Sequence, residues 1–368
     1  MQFGLSESQQ MLKDNARKFF AGECPIEEVR WLMETETAYD KSLWAKIAEQ
    51  GYTGIIFGEE FGGVGLGKVE LALLMEEAGR ALVPGPFFST VALAGVVIDT
   101  IANAENKKKY LVPICAGDAR STVAFVEGNA SWDLMDIQIA ASTNGTLTGE
   151  KLFVPDAAVA DFILVVARNG IFAVEARAAG MSITPMRGMD LTRKLYGVEF
   201  KNTPAQRIGD LSVLPKALDI ATMAVASELV GGMQRTLDIT VEYAKMRKQF
   251  GKPIGTFQAV QHQCADMYLE TESSRSAAYY AAWALEENAP DAVAAVSIAK
   301  MYASDAARSV GNHGIQVHGG MGFTWENDVH LYYRRAKSSE TTFGDSTFHR
   351  ERIARLVIDT DERLAKSA

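Results

Sequence analysis

Apolar side chains recur at helical spacing over the first 118 residues of the chain. They follow this spacing through Leu5–Phe20, and Ser6 with Gln9 three residues later has the pattern of a helix N-cap with a capping box. The same spacing predicts further helices over Lys41–Gln50, Leu71–Leu82 and Thr90–Ala102. Residues 1–118 are therefore predicted to form an all-helical domain.

The period of the pattern changes after residue 118. Short runs rich in Val, Ile, Phe and Thr predict strands over Ser121–Glu127, Ile137–Ser142, Thr146–Thr148, Phe162–Ala167, Gly170–Glu175, Ser182–Pro185 and Leu195–Phe200. Asn144-Gly145 and Asn169-Gly170 have the sequence of tight hairpin turns. Sequential hairpins favour a mostly antiparallel sandwich or barrel over a parallel sheet. Residues 119–210 are predicted to form this β domain.

Helical spacing returns over residues 211–368, which we predict to be a second helical domain. The predicted helices are Leu214–Tyr243, Thr256–Glu287, Ala292–Gly311 and Phe348–Ala365. Pro253 and Pro290 lie at the breaks, where helices tolerate proline. The order helix, strand, helix predicts an α+β fold with the β domain between two helical parts.

Composition narrows the class of protein. With 368 residues, 48% of them hydrophobic and 23% charged, the chain is an ordinary multi-domain globular protein. A net charge of −9 argues against nucleic-acid binding, which needs a basic surface. The most apolar runs, Val91–Ile98 and Phe162–Ala167, are far shorter than the roughly 20 residues of a membrane span. The N-terminus lacks the basic and apolar regions of a signal peptide.

The cysteines and histidines indicate no metal site. Cys24, Cys115 and Cys264 are widely spaced, which excludes a disulfide framework or a paired metal knuckle. Such cysteine usage fits a reducing, cytoplasmic compartment. No pair of histidines has the spacing of a zinc motif.

The segment Arg247–His262 lies between two predicted helices and carries groups that can bind a phosphate and a polar ligand. Arg247 can pair with a phosphate in fork geometry. Phe250 and Phe257 offer flat faces for stacking. Amides for a polar ligand come from Gln249, Gln258 and Gln261. An ordinary helix–loop–helix would carry the same residues, and the residues alone leave both interpretations open.

Two later segments also have both a ligand-binding interpretation and a purely structural one. In Gln316–Phe323, consecutive glycines allow close approach of a phosphate to the backbone, but they also suit a helix C-terminal turn. In Arg334–Arg350, Gly344 breaks the chain and Asp345 is an N-cap candidate for the last helix. A helix start can bind an anion or can simply be capped.

Together these segments resemble the FAD-dependent acyl-CoA dehydrogenases over nearly the whole chain. The matching motifs are Gly58–Leu66 with the family's PEEFGGLGL loop, Tyr243–Gln261 with YAxxRxxFGxxIxxFQxxQ, Gln316–Phe323 with QxxGGxGF and Arg334–Lys337 with RDAK. The resemblance implies an N-terminal all-α domain, a middle β-sandwich or barrel and a C-terminal four-helix bundle.

The resemblance also implies the cofactor, the reaction and the partners. FAD contacts are implied for Arg247, Gln249, Phe250, Phe257, Gln261, Gln316, Gly319, Gly320 and Gly344, with Phe153 and Val126 from the β domain. The reaction is α,β-dehydrogenation of an acyl-CoA thioester, with an electron-transfer flavoprotein as the usual acceptor. Because neighbouring subunits share the flavin in this family, dimers or dimers of dimers are expected, homomeric or heteromeric.

The chain departs from the family at the catalytic base. Phe343 stands where a Glu usually follows RDAK, and Thr222 stands at the alternative base position. Neither side chain can accept a proton. The acids nearby are Glu228, Glu340 and Asp345, each of which also has a structural interpretation.

Three interpretations follow from this departure. The chain is a dehydrogenase with an unusual base, acting on a branched, cyclic or steroid-type acyl-CoA. Alternatively, it is a non-catalytic or half-active subunit that shares FAD with a base-containing homologue. A third alternative is a flavin oxidase or monooxygenase on the same scaffold.

Overall fold

The computed structural model describes residues 4–101 and 103–358. Before the first strand, its helices are α1 (Glu7–Glu23), α2 (Ile26–Glu34), α3 (Lys41–Glu49), α4 (Lys68–Arg80), α5 (Val96–Thr100) and α6 (Ala104–Cys115). The capping box of α1 is present, because the side chains of Ser6 and Gln9 bond each other's backbone N–H groups. α2 and α6 were not predicted, and α6 contains Pro113, which is unusual inside a helix.

The helix predicted over Thr90–Ala102 has a more complex form. A π-helical segment, Phe88–Gly95, leads directly into α5, and all of its residues are buried. Ala102 lies outside the described residues. Periodicity alone could not distinguish this segment from an α-helix, because every position is apolar or small.

Strands occupy the middle of the chain. They are β1 (Ser121–Ala124), β2 (Thr146–Pro155), β3 (Phe162–Ala167), β4 (Gly170–Glu175), β5 (Met181–Met186), β6 (Leu195–Pro204) and β7 (Gln206–Gly209). One sheet has the order β1-β3-β4-β7 and the other β2-β6-β5. Only the β1–β3 pair among these described strands is parallel. Apolar side chains from both sheets form one buried core, which makes this region a sandwich.

The strand predicted over Ile137–Ser142 is absent from the described structure, so this prediction was wrong. Three of its backbone N–H groups bond side chains, and the N–H of Ser142 bonds the carbonyl oxygen of Thr146 at 2.8 Å. Gln138 and Ile139 donate to the carboxylate of Glu127 at 2.8 and 3.1 Å. Ala141 donates to the side chain of Asn169 at 2.9 Å. An alternating sequence therefore forms no ladder here, because distant polar side chains satisfy the donors of Gln138, Ile139 and Ala141.

The C-terminal part is helical, as predicted. Its helices are α7 (Leu214–Met246), α8 (Gln258–Glu286), α9 (Ala292–His318), α10 (Val329–Thr341) and α11 (Ser346–Val357). Between α7 and α8 lies a hairpin of β8 (Lys248–Gln249) and β9 (Lys252–Pro253). α8, α10 and α11 all pack on α9. α10 was not predicted, and the end predicted for the last helix at Ala365 lies outside the described residues.

The chain divides into two compact units. The helical unit comprises the described residues up to Ile26, Ala72–Leu82 and those from Thr222 onward, and the β unit comprises Glu27–Leu71 and Val83–Ala221. The α+β fold class is confirmed, whereas the division into three domains with boundaries at 118 and 210 stays a prediction. None of the described helices is both long and apolar enough to cross a membrane.

Within the helical unit, α4 and α7 touch backbone to backbone. A Cβ on Gly79 would lie 2.1 Å from the carbonyl oxygen of Glu228, and one on Gly231 would lie 1.8 Å from that of Glu76. No larger residue fits at either glycine without moving a helix. This close crossing fixes the part of α7 that carries Glu228.

Candidate active site

The segment after α7 forms an exposed surface of aromatic and basic groups. The hairpin turns at Gly251 with φ +78°, and Phe250 before it also has a left-handed backbone and is 90% exposed. The rings of Phe250 and Phe257 lie 6.0 Å apart, edge to face. The ammonium of Lys252 lies 4.5 Å from the centroid of Phe257. Arg247, Gln249 and Gln261 are exposed in the same segment.

The predicted glycine turn lies at the end of α9. Gly319 has φ +60°, and a Cβ on Gly319 or Gly320 would meet no atom within 4 Å. The backbone here is therefore open to a ligand. The exposed Gln316 lies in the last turn of α9.

Tyr243 and His318 bring this turn close to the Arg247 segment. Their rings stack at 4.3 Å, which joins the C-terminal ends of α7 and α9. Nδ1 of His318 lies 2.8 Å from the carbonyl oxygen of Gly314, and burial lowers the pKa of the imidazole. A neutral ring that donates through Nδ1 holds this junction. The structure thus brings together the two segments that the sequence singled out separately.

The chemistry of this surface fits a flavin dinucleotide. An exposed guanidinium can pair with a phosphate, and the exposed ring of Phe250 beside the half-buried ring of Phe257 can stack on an adenine. The open backbone at Gly319 and Gly320 allows close approach of a pyrophosphate. The residues present therefore suit FAD.

Gly344 lies at the other end of α9. Its carbonyl oxygen accepts a hydrogen bond of 3.0 Å from Nζ of Lys300. At about 1.5 Å per residue, Lys300 and Gly319 are separated by about 28 Å of helix. Gly344 and the Gly319 turn are therefore far apart within one chain.

The loop between α10 and α11 carries the position of the missing base. Phe343 has φ +60° and is 5% exposed, so its ring is inside the protein. Gly344 follows with φ +100°, and a Cβ there would lie 2.3 Å from the ring of Phe348. Asp345 accepts a bond of 2.8 Å from the N–H of Phe348 and caps α11.

The other two candidate acids also have structural partners. Glu228 lies 2.7 Å from Arg335, and both side chains are buried. Glu340 bonds Arg308 at 2.8 Å and Lys337 at 2.6 Å. Thr222, the alternative base position, is 3% exposed in α7. A role as proton acceptor for any of these acids stays a prediction.

In the β unit, Val126 and Phe153 lie close together, because the N–H of Leu152 donates to the carbonyl oxygen of Val126 at 2.8 Å. Phe153 has φ +55° and is 44% exposed, whereas Val126 is buried. The exposed ring of Phe153 is available to a flat ligand. The predicted contacts from these two residues therefore come from one place in the sandwich.

A buried ion pair supports this place, and sequence reasoning missed it. Nζ of Lys151 donates to Glu127 at 2.7 Å and to the carbonyl oxygen of Phe125 at 2.8 Å. Burial lowers the pKa of Lys151. Burial would raise the pKa of Glu127, but hydrogen bonds from Lys151 and from two backbone N–H groups lower it overall. Lys151 stands two residues before Phe153, so the pair fixes the strand that presents this ring.

Sequence reasoning also missed Lys300. It lies on the face of α9 that contains Val296, Ala299 and Ala303, all of which are buried. A lone lysine on a helix face of small apolar residues is a signal that the sequence does contain. Its two backbone acceptors could not be found in the same way, since Glu340 lies in α10 and Gly344 in the loop after it.

Comparison with known proteins identifies relatives along most of the chain. Residues 6–118 match the profile described as acyl-CoA dehydrogenase, N-terminal domain, and residues 211–358 match acyl-CoA dehydrogenase, C-terminal domain. The acyl-CoA dehydrogenase IpdE2 of Mycolicibacterium smegmatis is 32% identical over 96% of this chain and 98% of its own.

Solved structures agree with this match. A variant of the Tcur3481-Tcur3483 steroid ACAD has a TM-score of 0.87 and 31% identity, over 96% of this chain and 98% of its own. The ChsE4-ChsE5 complex of Mycobacterium tuberculosis has a TM-score of 0.90 and 28% identity, over 98% of this chain and 100% of its own. FAD-bound structures are also among the similar ones.

Proposed function

The chain belongs to the acyl-CoA dehydrogenase family, and from this premise we propose that it is an FAD-sharing subunit of a heteromeric acyl-CoA dehydrogenase. In this proposal, a homologous partner chain supplies the catalytic base. The family consists of oxidoreductases that act on the CH–CH group of their substrates, and the prediction of FAD as cofactor is confirmed at the level of the family. What we propose beyond the family's reaction is that the partner chain, and not this one, removes the substrate's α-proton.

The proposal rests on the loop between α10 and α11, where the family places its catalytic base. Phe343 occupies the family's base position with a buried ring that has no proton-accepting atom. Each candidate acid has a partner, whether the guanidinium of Arg335, two basic side chains at Glu340, or a helix N-terminus at Asp345. Recruiting any of them as a base would break a contact that stabilises the helical unit.

The relatives support both the assembly and the substrate class. ChsE4-ChsE5 is described as a complex of two named proteins, and Tcur3481-Tcur3483 as a steroid ACAD. We therefore propose a CoA thioester with a branched, cyclic or steroid-type acyl group as substrate. We also propose a cytoplasmic location and an electron-transfer flavoprotein as the electron acceptor.

The cofactor would be held by residues of two chains. When bound, FAD supplies the acceptor for the hydride from the substrate's β-carbon. Arg247 and the backbone at Gly319 and Gly320 would bind the pyrophosphate, and Phe250 and Phe257 would pack on the adenosine. About 28 Å of helix separates the Gly319 turn from Lys300, which bonds Gly344, and this separation supports binding of a different subunit's flavin at each end of α9.

Side chains of the β unit would contact the flavin ring. Phe153 would cover a flavin face, next to Val126. In the helical unit, the buried ring of Phe343 would fill the base position of this chain, and the partner's carboxylate would remove the substrate's α-proton in the partner's own site. In the proposed mechanism this chain binds and orients the flavin, and the proton goes to the partner.

The competing interpretation is a complete dehydrogenase that uses Glu228, Asp345 or Glu340 as its base. The oxidase or monooxygenase interpretation is the third. Anaerobic reduction of the bound flavin distinguishes the first two, and reoxidation by air identifies the third.

The test compares the chain alone with the chain co-expressed with a base-containing homologue. A steroid-type acyl-CoA and butyryl-CoA are added without oxygen, and bleaching of the flavin is followed. We expect bleaching only in the complex, and loss of bleaching when the partner's Glu is replaced by Gln. Full bleaching by the chain alone, lost in Glu228→Gln or Asp345→Asn, would contradict the proposal.

A gain-of-function variant tests the same point without removing a structural acid. Phe343→Glu places a carboxylate at the family's base position, and Phe343→Leu is its matched control. We expect the Glu variant alone, but not the Leu variant, to show flavin bleaching with the acyl-CoA. Equal behaviour of the two variants, with FAD retained in both, would count against Phe343 marking the base position.

A further inference from the structure

Lys300 is fully buried within the helical unit and contacts three oxygen atoms. Its Nζ donates to Oγ of Ser304 at 3.0 Å, to the carbonyl oxygen of Glu340 at 2.9 Å and to that of Gly344 at 3.0 Å. The side chain is 0% exposed. One ammonium group therefore joins α9 to the end of α10 and to the loop after it.

The loop that Lys300 holds has an unfavourable backbone. Phe343 has φ +60°, in a region that residues with a Cβ adopt rarely, and Gly344 follows with φ +100°. Two consecutive left-handed residues persist only where the surroundings hold them. Lys300 bonds the carbonyl groups on both sides of Phe343, at Glu340 and Gly344.

α9 also holds the far side of the loop. Asp305 accepts bonds from Ser346 at 2.8 Å and from Arg350 at 2.5 Å, at the start of α11. These two contacts fix α11, but neither reaches the left-handed residues. Among the contacts described above, Lys300 is thus the side chain of α9 that bonds the left-handed turn itself.

We propose that Lys300 is a positioning residue that holds the Phe343–Gly344 turn in the conformation in which it meets the flavin. The proposal rests on the proposed function only in assigning this turn to the cofactor. Lys300 touches neither substrate nor flavin, since it is fully buried. It acts through its bond to the backbone carbonyl of Gly344, and a side-chain substitution in the loop does not remove this acceptor.

The experiment measures FAD affinity and local hydrogen exchange in the assembled protein. In Lys300→Met, we expect FAD to bind about tenfold more weakly and the amides of residues 341–346 to exchange at least about tenfold faster. The matched control is Ser304→Ala, which removes one acceptor and leaves both backbone bonds. In this control we expect FAD affinity within about twofold of the original.

A second variant covers the case in which Lys300→Met does not fold. Gly344→Ala forces a Cβ toward the ring of Phe348 and displaces the same turn while Lys300 remains. We expect it to weaken FAD binding to the same extent, with exchange elsewhere in α9 unchanged. Equal FAD affinity in Lys300→Met and the original protein, or equal losses in Lys300→Met and Ser304→Ala, would overturn the proposal.

These readouts separate this inference from the proposed function. FAD affinity and loop exchange do not depend on which chain carries the catalytic base. If the chain alone oxidises acyl-CoA, the heteromeric assignment fails and the role of Lys300 is still tested. If Lys300→Met keeps FAD affinity, the positioning role fails and the assignment of the base is unaffected.

Discussion

Two lysines among the described residues are fully buried, one in each compact unit, and they are compensated differently. Lys151 of the β unit lies 2.7 Å from the carboxylate of Glu127. Lys300 of the helical unit bonds neutral oxygens, one hydroxyl and two carbonyls. Burial lowers the pKa of both, and for Lys300 to about 7.

The difference shows two ways to keep an ammonium inside a protein. A carboxylate neutralises Lys151, because Glu127 lies 2.7 Å from the ammonium and balances its charge. At Lys300, three neutral oxygens take the place of water, and none of the bonds described for the ammonium goes to a carboxylate. The charged form of Lys300 is therefore only weakly favoured over the neutral amine. The β unit therefore uses its lysine for stability, and the helical unit uses its lysine to hold a backbone conformation.

The largest effect is expected for Glu127→Gln. Loss of the carboxylate leaves Lys151 charged and buried, which should lower the free energy of unfolding by about 3–5 kcal/mol. Urea denaturation measures this loss. The double variant with Lys151→Met should recover part of it, because it removes the unpaired charge. A loss below about 1 kcal/mol would remove the distinction between the two lysines.

The second effect concerns pH and Lys300. Between its folded pKa of about 7 and its usual value near 10.4, the unfolded chain binds more protons than the folded one. The contribution of Lys300 to the free energy of unfolding therefore rises with pH, by about 3 kcal/mol between about pH 7 and pH 9.5.

The difference in unfolding free energy between the original protein and Lys300→Met isolates this contribution. The original protein should gain on the variant as the pH rises. A difference independent of pH would show that Lys300 keeps its proton throughout, as a carboxylate-paired lysine would.

A smaller effect is expected for Ser304→Ala. The variant removes one of three neutral acceptors and leaves the two carbonyls, so it should cost about 1 kcal/mol in thermal or urea unfolding. A loss as large as that of Glu127→Gln would mean that the hydroxyl compensates the charge as strongly as a carboxylate does.

The smallest effect is expected for Arg308→Gln. The arginine pairs with Glu340 at 2.8 Å, but its side chain is 45% exposed, and such pairs contribute about 0.5 kcal/mol or less. The unfolding free energy measured at low and high salt checks this value. A large loss would indicate that the side chain of Glu340, and not only its carbonyl, is needed beside Lys300.

The sequence by itself determined the order of the elements and several of their ends. The periods of the apolar positions change near residues 119 and 211, and the strands and helices follow that change. Ser6 with Gln9 capped α1 as predicted, and Asn169-Gly170 joins β3 to β4. These features depend on neighbours within a few residues, which a local pattern contains.

Motifs located the candidate site, because the family's chemistry needs particular side chains at fixed spacing. Arg247, Phe250 and Gly319 were found this way, although the spacing did not show that their segments meet through Tyr243 and His318. That contact joins residues 75 positions apart in the chain.

Only the tertiary structure decided which polar groups are buried and what they bond. Ile137–Ser142 alternates like a strand, but Glu127 takes its backbone donors. Lys300 is a lysine on an alanine-rich helix until the carbonyls of Glu340 and Gly344, 40 and 44 residues away, are placed around it. The cost of burying a charge is set by partners that the chain brings together from distant positions, and no local pattern specifies them.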